Sequence, residues 1–283
     1  MYLSIPSPVV AAWHVGPLLI RAYALCILLG IVVAVWLTGR RLEQRGIPKE
    51  RALDVAAFGV PFGIVGARLY SVITTPQPYF GVGGNPWRIF AIWEGGLGIW
   101  GAVALGAVGA WIGCRRLGVP FPAFLDSAAP AVALAQAIGR WGNWFNNELH
   151  GGPTTKPWGL VIHQWNESTG RAVLDAKGHP IVLGTFQPTF LYESVFLVVL
   201  TVVLLVLDRR RRFSPYQITA LYIAGYPIGR VVVELLRDDF ANKIFGLRVN
   251  VWMSMVVFAL GVVLYVWAGR RHVPESETAP TAS

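Results

Sequence analysis

Seven apolar runs of about 20 residues dominate this 283-residue chain and leave it few folds to adopt. They cover about 15–38, 53–75, 95–114, 121–139, 188–207, 216–236 and 249–269. A run of that length spans the ~30 Å hydrocarbon core of a bilayer as a helix. In lipid every backbone N–H and C=O must be paired internally, which confines spanning segments to helices and closed barrels. Apolar residues make up 54% of the chain and charged residues 14%, and the mean hydropathy is +0.52. The predicted class is an all-α polytopic integral membrane protein with seven transmembrane helices.

The positions of the basic residues give the orientation. Arg40, Arg41, Arg45, Lys49 and Arg51 follow the first run, Arg115 and Arg116 the third, Arg209 to Arg212 the fifth, and Arg270 and Arg271 the seventh. Thirteen of the 24 Lys and Arg residues thus gather on one side. The positive-inside rule makes that side cytoplasmic, with the N-terminus outside and the C-terminus inside. A net charge of +9 in a soluble protein would point to nucleic acid. Here the charges belong to topology, and no nucleic-acid partner is expected. Residues 1–15 lack Lys and Arg and no small-residue cleavage site follows, so no cleavable signal peptide is expected. Cys26 and Cys114 lie in different apolar runs with no Cys/His cluster, which implies neither a disulfide nor a metal site.

Residues 1–140 and 188–271 form the expected transmembrane domain. Residues 141–187 alternate short apolar runs with Gly and Pro and read as a small outer head with short strands. Residues 76–94 form a turn-rich outer loop, with Trp87 and Trp93 at interface level. The polar tail, 272–283, reads as disordered cytoplasmic chain.

Polar residues inside such a frame mark function, because an ionisable side chain near hydrocarbon is costly. Residues 139–152 read Gly-Arg-Trp-Gly-Asn-Trp-Phe-Asn-Asn-Glu-Leu-His-Gly-Gly, directly against the end of the fourth run. The sixth run holds Tyr226, Arg230, Glu234 and Arg237. At about 100° per residue all four fall within an arc of about 80° on one helix. Arg230 and Glu234 form an i,i+4 pair, which admits a self-contained ion pair. Two arginines to one carboxylate leave positive charge over, which an anionic ligand balances, and guanidinium suits phosphate through its planar fork. Glu193 opens the fifth run. Arg21 and Tyr23 lie near the outer end of the first, where Arg21 either snorkels to the interface or acts in the site. Arg68 lies deeper in the second run and calls for a partner inside the bundle. Glu94-Gly-Gly-Leu-Gly-Ile-Trp-Gly opens the third, where the glycines serve either close helix packing or a lipid-facing cavity.

The motif Gly139-Arg140-x-Gly142-Asn143-x-x-Asn146-x-Glu148-x-x-Gly151 resembles the signature of the bacterial prolipoprotein diacylglyceryl transferases. The resemblance continues in Ile20-Arg21-x-Tyr23, Gly66-Ala-Arg68, Trp93-Glu-Gly-Gly, Gln187-Pro-x-x-Leu-Tyr-Glu193 and Arg230-x-x-x-Glu234-x-x-Arg237. It implies transfer of a diacylglyceryl group from phosphatidylglycerol to the lipobox cysteine of a prolipoprotein signal peptide, in the cytoplasmic (inner) membrane and without a cofactor or metal. A monomer is expected. Arg140, Arg230, Glu234 and Arg237 are the expected catalytic residues. Arg140, Asn143, Asn146, Glu148, Gly151, Tyr23, Arg21, Glu193 and Tyr226 are expected to bind substrate, with Asn146 and Glu148 either bracing the loop or holding glycerol hydroxyls. One departure stands out. Many members carry a histidine, a proposed base, where this chain has Trp100, and an indole accepts no proton. His150 either substitutes for it or fills an aromatic slot. The competing reading is a transporter or flippase for an anionic lipid or metabolite, against which no inverted repeat is visible. A structural adaptor leaves the stripe on the sixth run unexplained.

Overall fold

The computed structural model describes residues 4–16, 18–92, 95–211, 213–237 and 243–270. The tail expected to be disordered, 272–283, and the motif residues Trp93 and Glu94 lie outside them. The chain begins with an antiparallel hairpin, β1 (Ala12–Val15) and β2 (Leu18–Arg21), in register from Ala12 opposite Arg21 to Val15 opposite Leu18. This corrects the first apolar run, whose first residues were expected to be helical. The cause is local: Gly16 takes a φ of 60°, outside the right-handed helical region. Helix α1 (Ala22–Glu43) follows at once.

Among the described residues, six helical stretches are long and apolar enough to cross a membrane. They are α1, α2 (Arg51–Thr74), the stretch Phe121–Asn146, α7 (Thr189–Arg210), α8 (Gln217–Leu236) and α9 (Val249–Arg270). Phe121–Asn146 comprises α5 (Phe121–Gly139) and the short α6 (Trp141–Asn146). Only 22 to 39% of these apolar windows is buried inside the protein, so most of their side chains face outward, as they do in lipid. The third expected span is helical too, as α4 (Ile99–Leu117) after a short α3 (Gln77–Phe80) and a 3₁₀ turn at Pro86–Phe90. It has 19 residues and ends in Arg115 and Arg116, which dilute its apolar character.

Contacts divide the chain into two compact units, one of residues 1–34 with 128–283 and one of residues 35–127. In the smaller unit α2 and α4 pack backbone to backbone. A Cβ on Gly66 would lie 2.2 Å from the Gly101 carbonyl, and one on Gly101 2.0 Å from the Gly66 carbonyl. The glycines that open the third run therefore serve helix packing rather than a cavity, at least at Gly101, and at Gly98, where a Cβ would enter the Tyr70 ring. Below them Val55, Ala110, Cys114 and Val119 form an apolar core.

Arg68, expected to find a partner inside the bundle, sits near the end of α2 and donates to main-chain carbonyls of residues 88, 89, 91, 95 and 96. Nε donates to Ile89 at 2.8 Å, Nη1 to Gly95 at 2.5 Å and Gly96 at 3.2 Å, and Nη2 to Ala91 at 3.0 Å and to Arg88. The Tyr79 ring lies under the guanidinium, 5.2 Å from its centre. A second buried arginine, Arg41, donates to the carbonyls of Asp126 and Ser127 at 3.0 and 3.1 Å. Pro130 has no N–H to offer Asp126 four residues back, so Arg41 supplies the bond that α5 lacks there.

In the larger unit, residues 147–188 carry short antiparallel pairs: β3 (Leu160–His163) with β6 (Val182–Phe186), and β4 (Trp165–Asn166) with β5 (Arg171–Ala172). The expectation of short strands in this segment holds. Leu160, Ile162 and Phe190 form its core, joined by Ile5, Trp144, Phe186 and Leu191. A two-residue pair, β7 (Lys243–Ile244) with β8 (Leu247–Arg248), leads into α9.

Candidate functional site

Helices α5, α7, α8 and α9 bring an unbroken chain of charges together. Arg140, between α5 and α6, meets Glu193 in the second turn of α7, Nη2 to Oε1 at 2.6 Å. Arg230 on α8 links two carboxylates, with Nη2 2.8 Å from Glu234 Oε2 and Nη1 3.7 Å from Glu193 Oε2. Arg248, the last residue of β8 and directly before α9, closes the far side with Nε 2.9 Å from Glu234 Oε1, where Asn250 Nδ2 also donates at 3.1 Å. Three guanidiniums thus share two carboxylates in this chain of contacts. Their burial is graded. Glu234 and Glu193 side chains are 1% and 5% exposed, whereas Arg230 and Arg140 are 17% and 24% exposed. The negative charge lies inside and the positive charge toward the accessible side, an electrostatic arrangement made for an anion.

The sequence stripe on α8 is realised in Tyr226, Arg230 and Glu234 but not in Arg237. The helix ends at Leu236, and Arg237 turns to an extended conformation (φ −79°, ψ 140°) that bridges Gly151. Its carbonyl accepts from Arg248 Nη1 at 2.9 Å. Arg248, not Arg237, is the second guanidinium on Glu234. The sequence reading missed Arg248, although an arginine directly before the seventh apolar run, apart from the thirteen gathered basic residues, was a visible signal.

The polar residues of the signature loop differ in whether the protein itself pairs them. Asn143 is 7% exposed, and its side-chain amide makes no hydrogen bond to the described residues. Its amide atoms are not among the buried unpartnered ones, so they stay accessible and free to bond a ligand. Beside it, Tyr23 packs its ring so closely on Gly142 that a Cβ there would lie 2.4 Å from the ring. Its hydroxyl lies within reach of the charges of Glu148 and Arg140. Asn146 Nδ2 donates to Glu148 Oε1 at 3.1 Å, which favours bracing for that pair.

Gly151, expected to bind substrate, is closely packed by its neighbours. A Cβ there would lie 2.7 Å from both Gln187 Cβ and the Leu236 carbonyl, and its N–H donates to the Gln187 carbonyl at 2.9 Å. Arg21 is exposed on β2 with Nη1 3.3 Å from the Glu167 carbonyl, outside the ionic chain. His150 stacks on Phe186 at 4.3 Å with Nδ1 3.0 Å from the Gly151 carbonyl, as an aromatic filler would. Trp100 is 47% exposed on α4.

Asn147 is a structural residue that sequence reading passed over. It ends α6 in the left-handed conformation, φ 53°, which asparagine tolerates. Its Oδ1 accepts from Ser7 Oγ at 2.6 Å and from the His163 N–H at 3.2 Å, while Nδ2 donates to the Pro8 carbonyl at 3.0 Å. One buried amide thus fixes the signature loop to the N-terminal segment and to β3. On the other flank, Trp141 stacks edge-on against Phe190 at 5.5 Å and donates to Ser194 Oγ at 3.2 Å, holding α6 to α7.

The fold and the site define a polytopic helical membrane protein with a partly buried arginine–carboxylate centre fit for an anionic ligand. The profile of the prolipoprotein diacylglyceryl transferases matches residues 10–267, and the chain belongs to that family. It is 55% identical over 277 residues to a protein of Paenarthrobacter aurescens named phosphatidylglycerol–prolipoprotein diacylglyceryl transferase, covering 97% of this chain and 87% of that one. Similarly named proteins of Mycobacteroides abscessus and Streptomyces coelicolor are 52% and 50% identical. The matches cover 93% and 95% of this chain and 77% and 82% of theirs.

Proposed function

We propose that this chain transfers the diacylglyceryl group of phosphatidylglycerol to the lipobox cysteine of prolipoproteins, with Arg140, Arg230 and Asn143 as the groups that meet the lipid headgroup. The observation that carries the reading is the graded ionic chain, with guanidiniums outward and carboxylates inward, beside the unpaired amide of Asn143. In the transfer the cysteine sulfur attacks the glycerol carbon that bears the phosphate. The C–S bond forms, the C–O bond breaks with its electrons left on the phosphate oxygen, and glycerol phosphate departs as the thiol proton passes to solvent or to the leaving group.

A free cysteine with a pKa near 8.5 is only a few per cent thiolate at neutral pH. A guanidinium within about 4–6 Å favours the thiolate, and the same charge stabilises the departing phosphate. Arg230 is oriented for this by carboxylates on both sides. Glu234 is occupied by Arg230, Arg248 and Asn250, so its role is to orient rather than to take a proton. The test is incubation of the purified protein with labelled phosphatidylglycerol and a lipobox peptide. Thioether-linked peptide is the expected product, and lipid consumption without it overturns the reading. His150→Phe keeps the stack on Phe186 and is expected to retain at least about a tenth of the rate. A loss of 100-fold or more, the scale of general-base catalysis, makes His150 the base instead.

The topology that suits this chemistry has seven spans, α4 included, with the N-terminus outside, the head of residues 141–187 periplasmic and the C-terminus in the cytoplasm. It rests on the thirteen basic residues gathered on one side. A reporter fused after Arg212 is expected to face the cytoplasm, and one inserted between 160 and 180 the periplasm. The opposite labelling would put the site on the wrong face for a secreted cysteine. The protein is expected to act as a monomer in the cytoplasmic membrane.

A further inference from the structure

Resting on the donor-lipid reading above, we propose that Gln136 and Tyr226 form a second tier of hydrogen-bond donors that reads the ester carbonyls of the lipid. They would thereby select ester-linked over ether-linked donors. Gln136 precedes Arg140 by four residues on the α5 side, and Tyr226 precedes Arg230 by four on α8. Each therefore lies one turn, about 6 Å of rise, beyond its guanidinium toward the interior of its span. Tyr222, one turn further along α8, donates its hydroxyl to Gln136 Oε1 at 3.0 Å, and its ring lies 6.3 Å from that of Tyr226.

That bond uses the oxygen of the Gln136 amide and leaves its NH₂ group as a donor. Among the described residues neither this NH₂ nor the Tyr226 hydroxyl takes a hydrogen bond, and both side chains are partly buried. A need to tie α5 to α8 explains the Tyr222–Gln136 bond but neither remaining donor. Donors left unpaired at the depth of hydrocarbon are unfavourable without an acceptor to meet.

A phosphoglyceride offers its next acceptors below the phosphate as two ester carbonyls. They accept and cannot donate, and they carry no charge. Gln NH₂ and Tyr O–H are neutral donors, whereas a second tier of arginines would compete for the phosphate itself. The two tiers thus match the headgroup and the acyl linkage of one lipid.

The experiment compares a diacyl phosphatidylglycerol with its di-O-alkyl counterpart of equal chain length, each with a lipobox peptide and purified protein. The unaltered protein is expected to use the diacyl lipid about ten- to a hundredfold better, two such hydrogen bonds together. In Tyr226→Phe, which keeps the ring, and in Gln136→Met, that preference is expected to fall about three- to tenfold, the worth of one neutral hydrogen bond. Melting temperature and gel-filtration profile verify that each variant is folded. An unaltered protein that uses both lipids equally overturns the proposal. So does an unchanged preference in Tyr226→Phe or Gln136→Met while diacyl turnover continues. Absence of thioether product with either lipid removes the donor-lipid reading itself, and the proposal with it.

Discussion

Arg230→Lys is expected to lower diacylglyceryl transfer by about 100-fold or more, nearly as far as Arg230→Ala, the range seen when one preorganised donor to developing charge is removed. Arg230 sends one terminal nitrogen to Glu234 and the other toward Glu193. An ammonium is a point donor and cannot reach both carboxylates from a fixed stem while presenting a fork to phosphate. Transfer rates at matched membrane abundance decide the matter. A lysine variant with most of the rate would mean that charge alone is required and that the forked geometry is incidental.

Arg140→Ala and Asn143→Ala are both expected to abolish transfer, but with opposite signatures in stability. Removing Arg140 leaves Glu193, whose side chain is 5% exposed, with only the longer 3.7 Å contact to Arg230 in place of a partner that is 24% exposed. Breaking a fully buried pair costs about 3–5 kcal/mol, and the partial exposure of Arg140 reduces that to about 1–3 kcal/mol. The double change Arg140→Ala/Glu193→Ala is expected to recover much of the melting temperature and none of the activity. Asn143→Ala removes no hydrogen bond to the described residues, so its melting temperature is expected to stay close to the parent's. If Asn143→Ala unfolds the protein, or keeps full activity, the amide is structural or idle and does not hold the lipid.

The helices were legible because hydrophobic length is the signal that lipid imposes. α5 begins and ends at the boundaries read from sequence, and α7, α8 and α9 differ by a few residues. The misreadings lie where local backbone chemistry overrides periodicity. The run from residue 15 is apolar enough for a helix, but the turn at Gly16 makes its start the return strand of a hairpin. Arg237 shares the azimuth of Arg230 only if the helix continues, and it stops one residue earlier. Arg248 escaped notice because its partnership with Glu234 depends on a chain reversal through β7 and β8, which no pattern on α8 encodes. Within the signature the charged and amide residues were evident from their cost near hydrocarbon. Their division into site-facing Asn143 and framework Asn147 depends on which amide finds protein partners, and that is decided by distant residues such as Ser7 and His163.

The guanidinium of Arg68 has one consequence for how such a protein can vary. Its five N–H donors meet five main-chain carbonyls between Arg88 and Gly96, every donor the group possesses. The path of that connection is thus dictated by one side chain on α2 and by carbonyls that every amino acid carries. The exposed Phe90 and Ile92 can change identity without moving the carbonyls that Arg68 holds, whereas Ala91 between them is buried. Shape is inherited through a single codon, and the surface it displays remains open to change.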